Sequence, residues 1–162
     1  MRYFDMLLKL YDLPETHIPD ESLKKKNIRI YRPMASDKSR ITEYIRANFS
    51  EVWANEFEKA MSNNPVSCFI AVKNQKEIIG FSCYDASYTG FFGPIGVSEN
   101  YRGLHIGKEL LLYAMYGMRE NGYAYSIIGW TSDKIAPFYY NITGAVEIPD
   151  SYPGIYKNSL LD

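Results

Sequence analysis

Cysteine and histidine are scarce in this chain. It carries two of each, Cys68, Cys83, His17 and His105, in 162 residues. Two cysteines are too few for the disulfide framework of a small secreted domain. There is no Cys-x-x-Cys pair, and structural zinc sites draw on several Cys and His together, so no metal site is expected. Cys68 and Cys83 lie on two apolar segments joined by a turn at residues 73–77, which can bring them near each other, and both read as reduced, buried thiols. A dominant charge is also missing. Lys and Arg number 18 against 19 Asp and Glu, for a net charge of −1. That balance gives no long-range attraction for nucleic acid or an anionic membrane, so neither is an expected partner. The one basic cluster, Lys24-Lys25-Lys26, reads as a solvated linker. No apolar run approaches the ~20 residues needed to cross a bilayer. Asp5, Lys9 and Asp12 interrupt the apolar residues of the N-terminus and no small-residue cleavage site comes after them, unlike a signal peptide. The expected location is the cytoplasm.

What is present suits one domain with a sizeable core: 46% of residues are hydrophobic and 23% charged. Phe4, Leu7, Leu8 and Tyr11 fall at helical spacing and predict a helix over residues 2–12 with one apolar stripe. Pro14 and Pro19 interrupt the chain beyond it. The sequence thus divides into an N-terminal helical extension, residues 1–26, and a single domain, residues 27–162. The stripe must pack on its own domain or on a second subunit, which leaves a homodimer open.

Residues 28–31 alternate and read as a strand stopped at Pro33. Ser36 or Asp37 can cap a helix over residues 38–48, and a second helix spans residues 52–61, ended by Asn63-Asn64-Pro65. Residues 67–72 and 78–85 form an antiparallel hairpin. Residues 90–97 continue as a strand containing Gly93-Pro94 and Gly96, signs of a bulge or of a close approach by another group. A helix over residues 105–120 carries Ile106, Leu110, Ala114 and Met118 on one face, flanked by Leu111 and Met115, and Asn121-Gly122 ends it. Residues 125–130 are a short apolar strand, Ser132 or Asp133 starts a short helix, and residues 145–148 and 154–157 are two closing strands.

The junction after residues 91–97 is the most informative stretch. An apolar strand enters a polar turn with two glycines and then an amphipathic helix. The first N–H groups of such a helix are unpaired and converge at the positive end of its dipole, a ready site for phosphate or pyrophosphate. It is not a nucleotide-triphosphate loop: Gly103 and Gly107 are separated by three residues instead of four, and Glu109 stands where a magnesium-binding hydroxyl is needed. Nor do the glycines have dinucleotide spacing.

Arg102-Gly103-Leu104-His105-Ile106-Gly107 does resemble the acyl-CoA loop of the GNAT superfamily of N-acetyltransferases, Arg/Gln-x-x-Gly-x-Gly/Ala after a strand ending in valine. His105 stands where the middle glycine usually sits. The resemblance covers about residues 28–158, and the element order matches. It implies an α+β fold in α/β/α layers: a mixed, mainly antiparallel sheet splayed between its fourth and fifth strands, with helices on both faces. It also implies acetyl-CoA as acyl-donor substrate and no metal. In such a fold the strand around Ile95 and Val97 would pair with the pantetheine arm through its main chain. The pyrophosphate would sit at Gly103, Leu104, His105, Ile106, Gly107 and Lys108. Arg102 would add charge there or point to solvent. Ser132 falls where the superfamily often has an asparagine that bonds the cofactor arm, and it can equally cap a helix.

Pro137-Phe138-Tyr139-Tyr140-Asn141-Ile142-Thr143-Gly144-Ala145 resembles the superfamily's Phe-Tyr-x-x-x-Gly-Phe segment with one residue added. Aligned from Phe138, the resemblance implies Tyr139 as the acid that protonates the CoA thiolate; aligned back from Gly144, it implies Tyr140. Tyr139 is preferred because Phe-Tyr is the more distinctive element. No base can be assigned. Asp85, at the end of a strand leading toward the cleft, and Glu51 and Glu56, on the acceptor-side helices, are candidates that also suit solvated or capping roles. Phe49, Trp53 and Phe57 recur every four residues, as core or as a wall of the acceptor pocket. The implied activity is transfer of an acetyl group to a primary amine of a small molecule or peptide by direct attack. Cys68 and Cys83 have no evident His partner to make them nucleophiles. The alternatives are a non-catalytic acyl-CoA-binding sensor or scaffold, and the same chemistry with a longer acyl donor.

Overall fold

The structure, a computed structural model, describes residues 1–160; the last two residues of the expected 27–162 domain lie outside the described residues. Seven strands form one sheet: β1 (Tyr3–Lys9), β2 (Ile28–Tyr31), β3 (Cys68–Lys73), β4 (Glu77–Tyr84), β5 (Phe91–Val97), β6 (Tyr125–Ser132) and β7 (Val146–Glu147). Their order is β2-β3-β4-β5-β6-β1-β7. Every neighbouring pair is antiparallel except β5 and β6. The helices are α1 (Glu21–Lys25), α2 (Lys38–Asn48), α3 (Glu51–Met61), α4 (Ile106–Glu120) and α5 (Ala136–Thr143).

Helices cover both faces, as the apolar patterns require. On one face α4 buries Ile106, Leu110, Leu111, Ala114, Met115 and Met118 against Phe4, Leu8, Ile79, Phe92 and Ile128. On the other, Ile41 and Ile45 of α2 and Ala54, Phe57 and Ala60 of α3 pack on Ile70, Phe81 and Cys83. Cys68 and Cys83 are cross-strand partners, both free and buried. Burial pushes the Cys68 thiol up to about 12 and Cys83 higher as well, so neither is a thiolate at neutral pH. No helix among the described residues is long and apolar enough to cross a membrane.

The N-terminus departs from the sequence expectation. Residues 3–9 are a strand, not a helix, and they lie inside the sheet between β6 and β7. The apolar set there also fits a period of two: Phe4, Met6, Leu8 and Leu10 are buried, while Leu7 is half-buried and Tyr11 is exposed. The long-range partner decides between the two periods. Pairing with β6 from Tyr3↔Ser132 to Lys9↔Tyr125 satisfies the backbone and buries one face. Residues 13–15 then cross α4, where Arg119 donates to the carbonyls of Leu13, Pro14 and Glu15 and Tyr116 to that of Pro14. Lys24 and Lys25 close the short α1, capped by Asp20, in place of the expected linker. At the other end, the strand expected over residues 154–157 does not form. Gly154–Asn158 is a 3-10 turn instead, packed through Tyr156 on Trp130 at a ring distance of 4.8 Å.

Candidate active site

The parallel pair β5–β6 is brief. Phe91 pairs with Ile127 and Phe92 with Ile128, and there the ladder stops. Beyond it the two strands diverge. From Gly93 to Val97 the edge of β5 turned away from β4 has no strand beside it among the described residues. This is the splay expected between the fourth and fifth strands, counted one higher because of β1. Open backbone N–H and C=O groups at such an edge are costly unless water or a ligand pairs with them. The divergence opens a cleft of about 850 Å³ across the C-terminal ends of β5 and β6.

The N-terminus of α4 forms one end of the cleft. Its N-cap, His105, makes no side-chain capping bond, and the first bond of the turn runs from Glu109 N to His105 O at 3.1 Å. The amides of Ile106, Gly107 and Lys108 are therefore the uncapped donors of the first turn. His105 has φ 66° and ψ 13°, the left-handed region. Glycine is the usual residue where the chain takes that conformation, which accounts for a histidine here being a departure from the loop pattern. Its Nδ1 lies 3.1 Å from Asp20 Oδ2. Bonds from Ser22 and then His105 pull the Asp20 carboxyl down to about 2. Gly107 faces the gap between strand and helix: a Cβ there would lie 3.7 Å from Val97 Cγ2 and 3.8 Å from Phe138 Cζ. Arg102 folds back on β5, its Nε 3.3 Å from the Val97 carbonyl. Arg102 and Lys108 give this end a positive character. The uncapped turn, the basic side chains and the open strand edge fit the phosphates and amide-bearing arm of a CoA thioester.

Over the middle of the cleft lies α5. Pro137 stands in its first turn and Gly144 ends it in the left-handed conformation. Adjacent helical residues point about 100° apart, so Tyr139 and Tyr140 part company. Tyr139 is 7% exposed and lines the cleft, its ring edge-on to Phe92 at 6.3 Å. Tyr140 is 60% exposed and lies off the cleft. The Tyr139 hydroxyl has no protein hydrogen-bond partner among the described residues, and burial pushes it up to about 12. It is thus a protonated phenol with its hydrogen-bond capacity unused.

The far end is aromatic. Phe49 lies against the backbone of β5, so close that a Cβ on Gly96 would sit 2.7 Å from the ring. Trp53 stacks at a tilt on Phe49 at 5.5 Å. Phe57, the third member of the sequence stripe, is fully buried core. Trp130 and Tyr156 face the cleft from the end of β6 and the C-terminal turn. Glu56 of α3 also lines it, its Oε2 accepting a hydrogen bond from Ser87 Oγ, and burial raises its pKa.

The cleft therefore brings together Ile95, Val97, Arg102, Gly103, His105, Ile106, Gly107, Lys108, Tyr139, Phe49 and Trp53. Leu104, Ser132, Asp85 and Glu51 lie off its wall. Leu104 packs toward the core formed with α4. Ser132 is buried, and its carbonyl accepts from Ile135 N in the turn before α5. Asp85 is held in the β4–β5 turn, where both oxygens accept from the Tyr123 hydroxyl at 2.8–2.9 Å and one accepts from Gly90 N. A carboxylate so occupied fixes a turn; it does not face an acceptor. Glu51 is exposed and paired with Arg46. Trp130 and Tyr156 had no sequence signal, since both depend on how a strand end and a terminal turn fold back. Glu56 had a weak one: it lies three residues after Trp53 on the same helix.

Residues 36–141 match the sequence profile of the Acetyltransferase (GNAT) family. No curated protein matches the sequence. In fold the chain is similar to a GCN5-related glucosamine N-acetyltransferase region in a fungal multi-domain GH3 beta-N-acetylglucosaminidase, with TM-score 0.70 and 16% identity over 90% of this chain and 20% of that one. A GCN5-related N-acetyltransferase from Sphaerobacter thermophilus gives TM-score 0.64 and 19% identity, over 90% of this chain and 48% of that one. One from Kribbella flavida gives 0.55 and 10%, over 91% and 55%. At these identities the likeness is one of fold, and the chain spans from a fifth to about half of those chains' length. The profile match covers well over half of the chain and agrees with the splayed sheet and the uncapped loop before α4: the chain belongs to the GNAT acetyltransferase family.

Proposed function

We infer that the protein transfers an acetyl group from acetyl-CoA to a primary amine by direct attack, and that Tyr139 acts as general acid. The observation that carries this is the buried, unpartnered phenol of Tyr139, set in the same cleft as the open edge of β5 and the uncapped first turn of α4. Bound acetyl-CoA supplies the thioester. The amides of α4 and the basic side chains beside them hold its phosphates, and the main chain around Ile95 and Val97 completes a ladder with its amides. These contacts bring the thioester carbonyl to the splay, where the acceptor attacks through its neutral nitrogen after its ammonium has lost a proton to water. The C–N bond forms, the C–S bond breaks, the Tyr139 hydroxyl gives its proton to the departing sulfur, and the proton shed by nitrogen passes to solvent and restores the phenol. Burial raises the phenol to about 12, so it stays protonated across neutral pH and keeps its O–H available to the departing sulfur.

The test is release of free CoA thiol from acetyl-CoA across a panel of amines. Turnover with at least one amine is expected. Tyr139→Phe should lower kcat by about 10²–10⁴, the usual range for a positioned acid, while CoA affinity stays within a fewfold because the lost contact belongs to the transition state. Tyr140→Phe should cost little. Tight CoA binding with no thiol release from any amine would favour the non-catalytic acyl-CoA-binding alternative. Equal, small losses in both tyrosine variants would remove the acid from Tyr139.

A further inference from the structure

The two ends of the cleft carry opposite charge. Its cationic lining, Arg102 and Lys108, belongs to the loop and first turn of α4. Its one lining carboxylate, Glu56, belongs to α3 at the aromatic end. Glu56 is half-buried, and only its Oε2 is engaged, by Ser87; Oε1 has no protein partner among the described residues. Around it the lining is Phe49, Trp53, Trp130 and Tyr156, with no Lys, Arg or His at this end.

A ligand for such a pocket is constrained by chemistry. Aromatic walls favour an apolar or aromatic body and also attract a cation through their π faces. A half-buried carboxylate with a free oxygen needs a donor, and a protonated amine provides charge and hydrogen bond together. A carboxylate on the ligand would find no cation and would meet Glu56 as a like charge. Resting on the acyl-transfer reading above, we propose that the acceptor is a primary amine borne on an aromatic or apolar body without a free carboxylate, with Glu56 as the group that holds its ammonium. Free amino acids are thereby excluded as good acceptors. The raised pKa of Glu56 is in keeping with a carboxylate whose counter-charge arrives with the ligand.

The chain has two tryptophans, Trp53 and Trp130, and both line the cleft, so intrinsic fluorescence reports occupancy without turnover. With CoA bound, titrating 2-phenylethylamine should change the emission and saturate. Phenylalanine, the same body with a carboxylate, should bind at least tenfold more weakly. Glu56→Gln keeps the Ser87 contact and should weaken phenylethylamine binding at least tenfold while leaving the neutral 2-phenylethanol within threefold. The proposal is overturned if phenylalanine binds as well as phenylethylamine, if phenylethylamine gives no saturable response, or if Glu56→Gln weakens amine and alcohol alike. Should Glu56→Gln not fold, the ligand comparison on the unaltered protein decides alone. CoA binding, followed separately by calorimetry, tests the broader reading: its loss would remove the donor site, whereas CoA binding without an amine response removes only this inference.

Discussion

A substitution at Gly107 separates the phosphate-binding role proposed for the α4 N-terminus from an effect on folding. Gly107 is the second residue of α4, and an added Cβ would meet only Val97 Cγ2 at 3.7 Å and Phe138 Cζ at 3.8 Å, ordinary contact distances. Side chains are therefore tolerated sterically. Replacing a helical glycine with Asp or Asn is worth only roughly 0.1–0.4 kcal/mol in propensity, and a carboxylate in a first turn adds roughly 0.3–1 kcal/mol with the dipole. Gly107→Asp should thus be no less stable than the parent. Toward a bound pyrophosphate the same carboxylate is repulsive. Two unit charges about 4 Å apart interact by roughly 4 kcal/mol at an effective dielectric of 20, and solvent and salt reduce this at an open cleft. A loss of at least tenfold in affinity, about 1.4 kcal/mol, is the expected reading by calorimetry. Gly107→Asn has nearly the same shape without the charge, so the Asp–Asn difference isolates electrostatics. That difference should shrink as salt is raised from about 50 to about 500 mM. Equal CoA affinity in the Asp and Asn variants, or undiminished affinity in Gly107→Asp, would refute a phosphate site at this turn.

Two further outcomes concern the fold and the buried acid. Leu8 is fully buried and Leu7 half-buried, so Leu8→Ala should cost about 2–5 kcal/mol in urea unfolding and Leu7→Ala clearly less; comparable losses would favour a helical stripe over the β1 strand. Burial raises the Glu56 pKa in the folded state, so the ionised form opposes folding above that pKa and the opposition fades as pH falls through it. Glu56→Gln should therefore melt above the parent at neutral pH, with the gap closing on acidification, and a gap that widens as pH falls would contradict the sign.

Local features were the ones legible in the sequence. The turn before α4 was readable because its signals are contiguous: a strand ending at Val97, two glycines, and an amphipathic helix within about a dozen residues. The α2 and α3 helices were readable for the same reason, with Asn63-Asn64-Pro65 ending α3, although the Asp37 side chain expected to cap α2 makes no capping bond and it is Ser50 that caps α3. β1 was not, because its apolar residues suit both a period of 3.6 and a period of 2. The arbiter is β6, more than a hundred residues away, whose edge would be bare without it. The choice between Tyr139 and Tyr140 was equally hidden. A motif gives neighbours; only the roll of α5 over the sheet tells which one faces inward. Asp85 failed as a pocket candidate through a contact from Tyr123, 38 positions away. Glu56 was visible as a carboxylate beside an aromatic stripe, yet the residues it meets in the cleft, Ser87 and Tyr156, lie far from it in sequence.

The polarity of the cleft also bears on how a product would leave. The acyl donor is anionic at its phosphate end, and the amine acceptor proposed here is cationic, so each is drawn to the end of opposite sign. Reaction changes only one of them. An amide carries no positive charge at neutral pH, so acetylation removes the attraction to Glu56 while the apolar contacts stay. What remains is a half-buried carboxylate facing a neutral group, an arrangement that costs free energy until water or a fresh ammonium replaces it. Donor release lacks this trigger, because CoA keeps its phosphates after the thioester is spent. Amide departure should therefore precede CoA departure, and CoA release should limit turnover once chemistry is fast. Product inhibition provides the check. CoA should inhibit competitively against acetyl-CoA at micromolar to submillimolar levels, whereas the N-acetylated amine should inhibit only weakly. If the amide inhibits at the same concentrations at which the parent amine binds, charge at Glu56 contributes nothing to the difference.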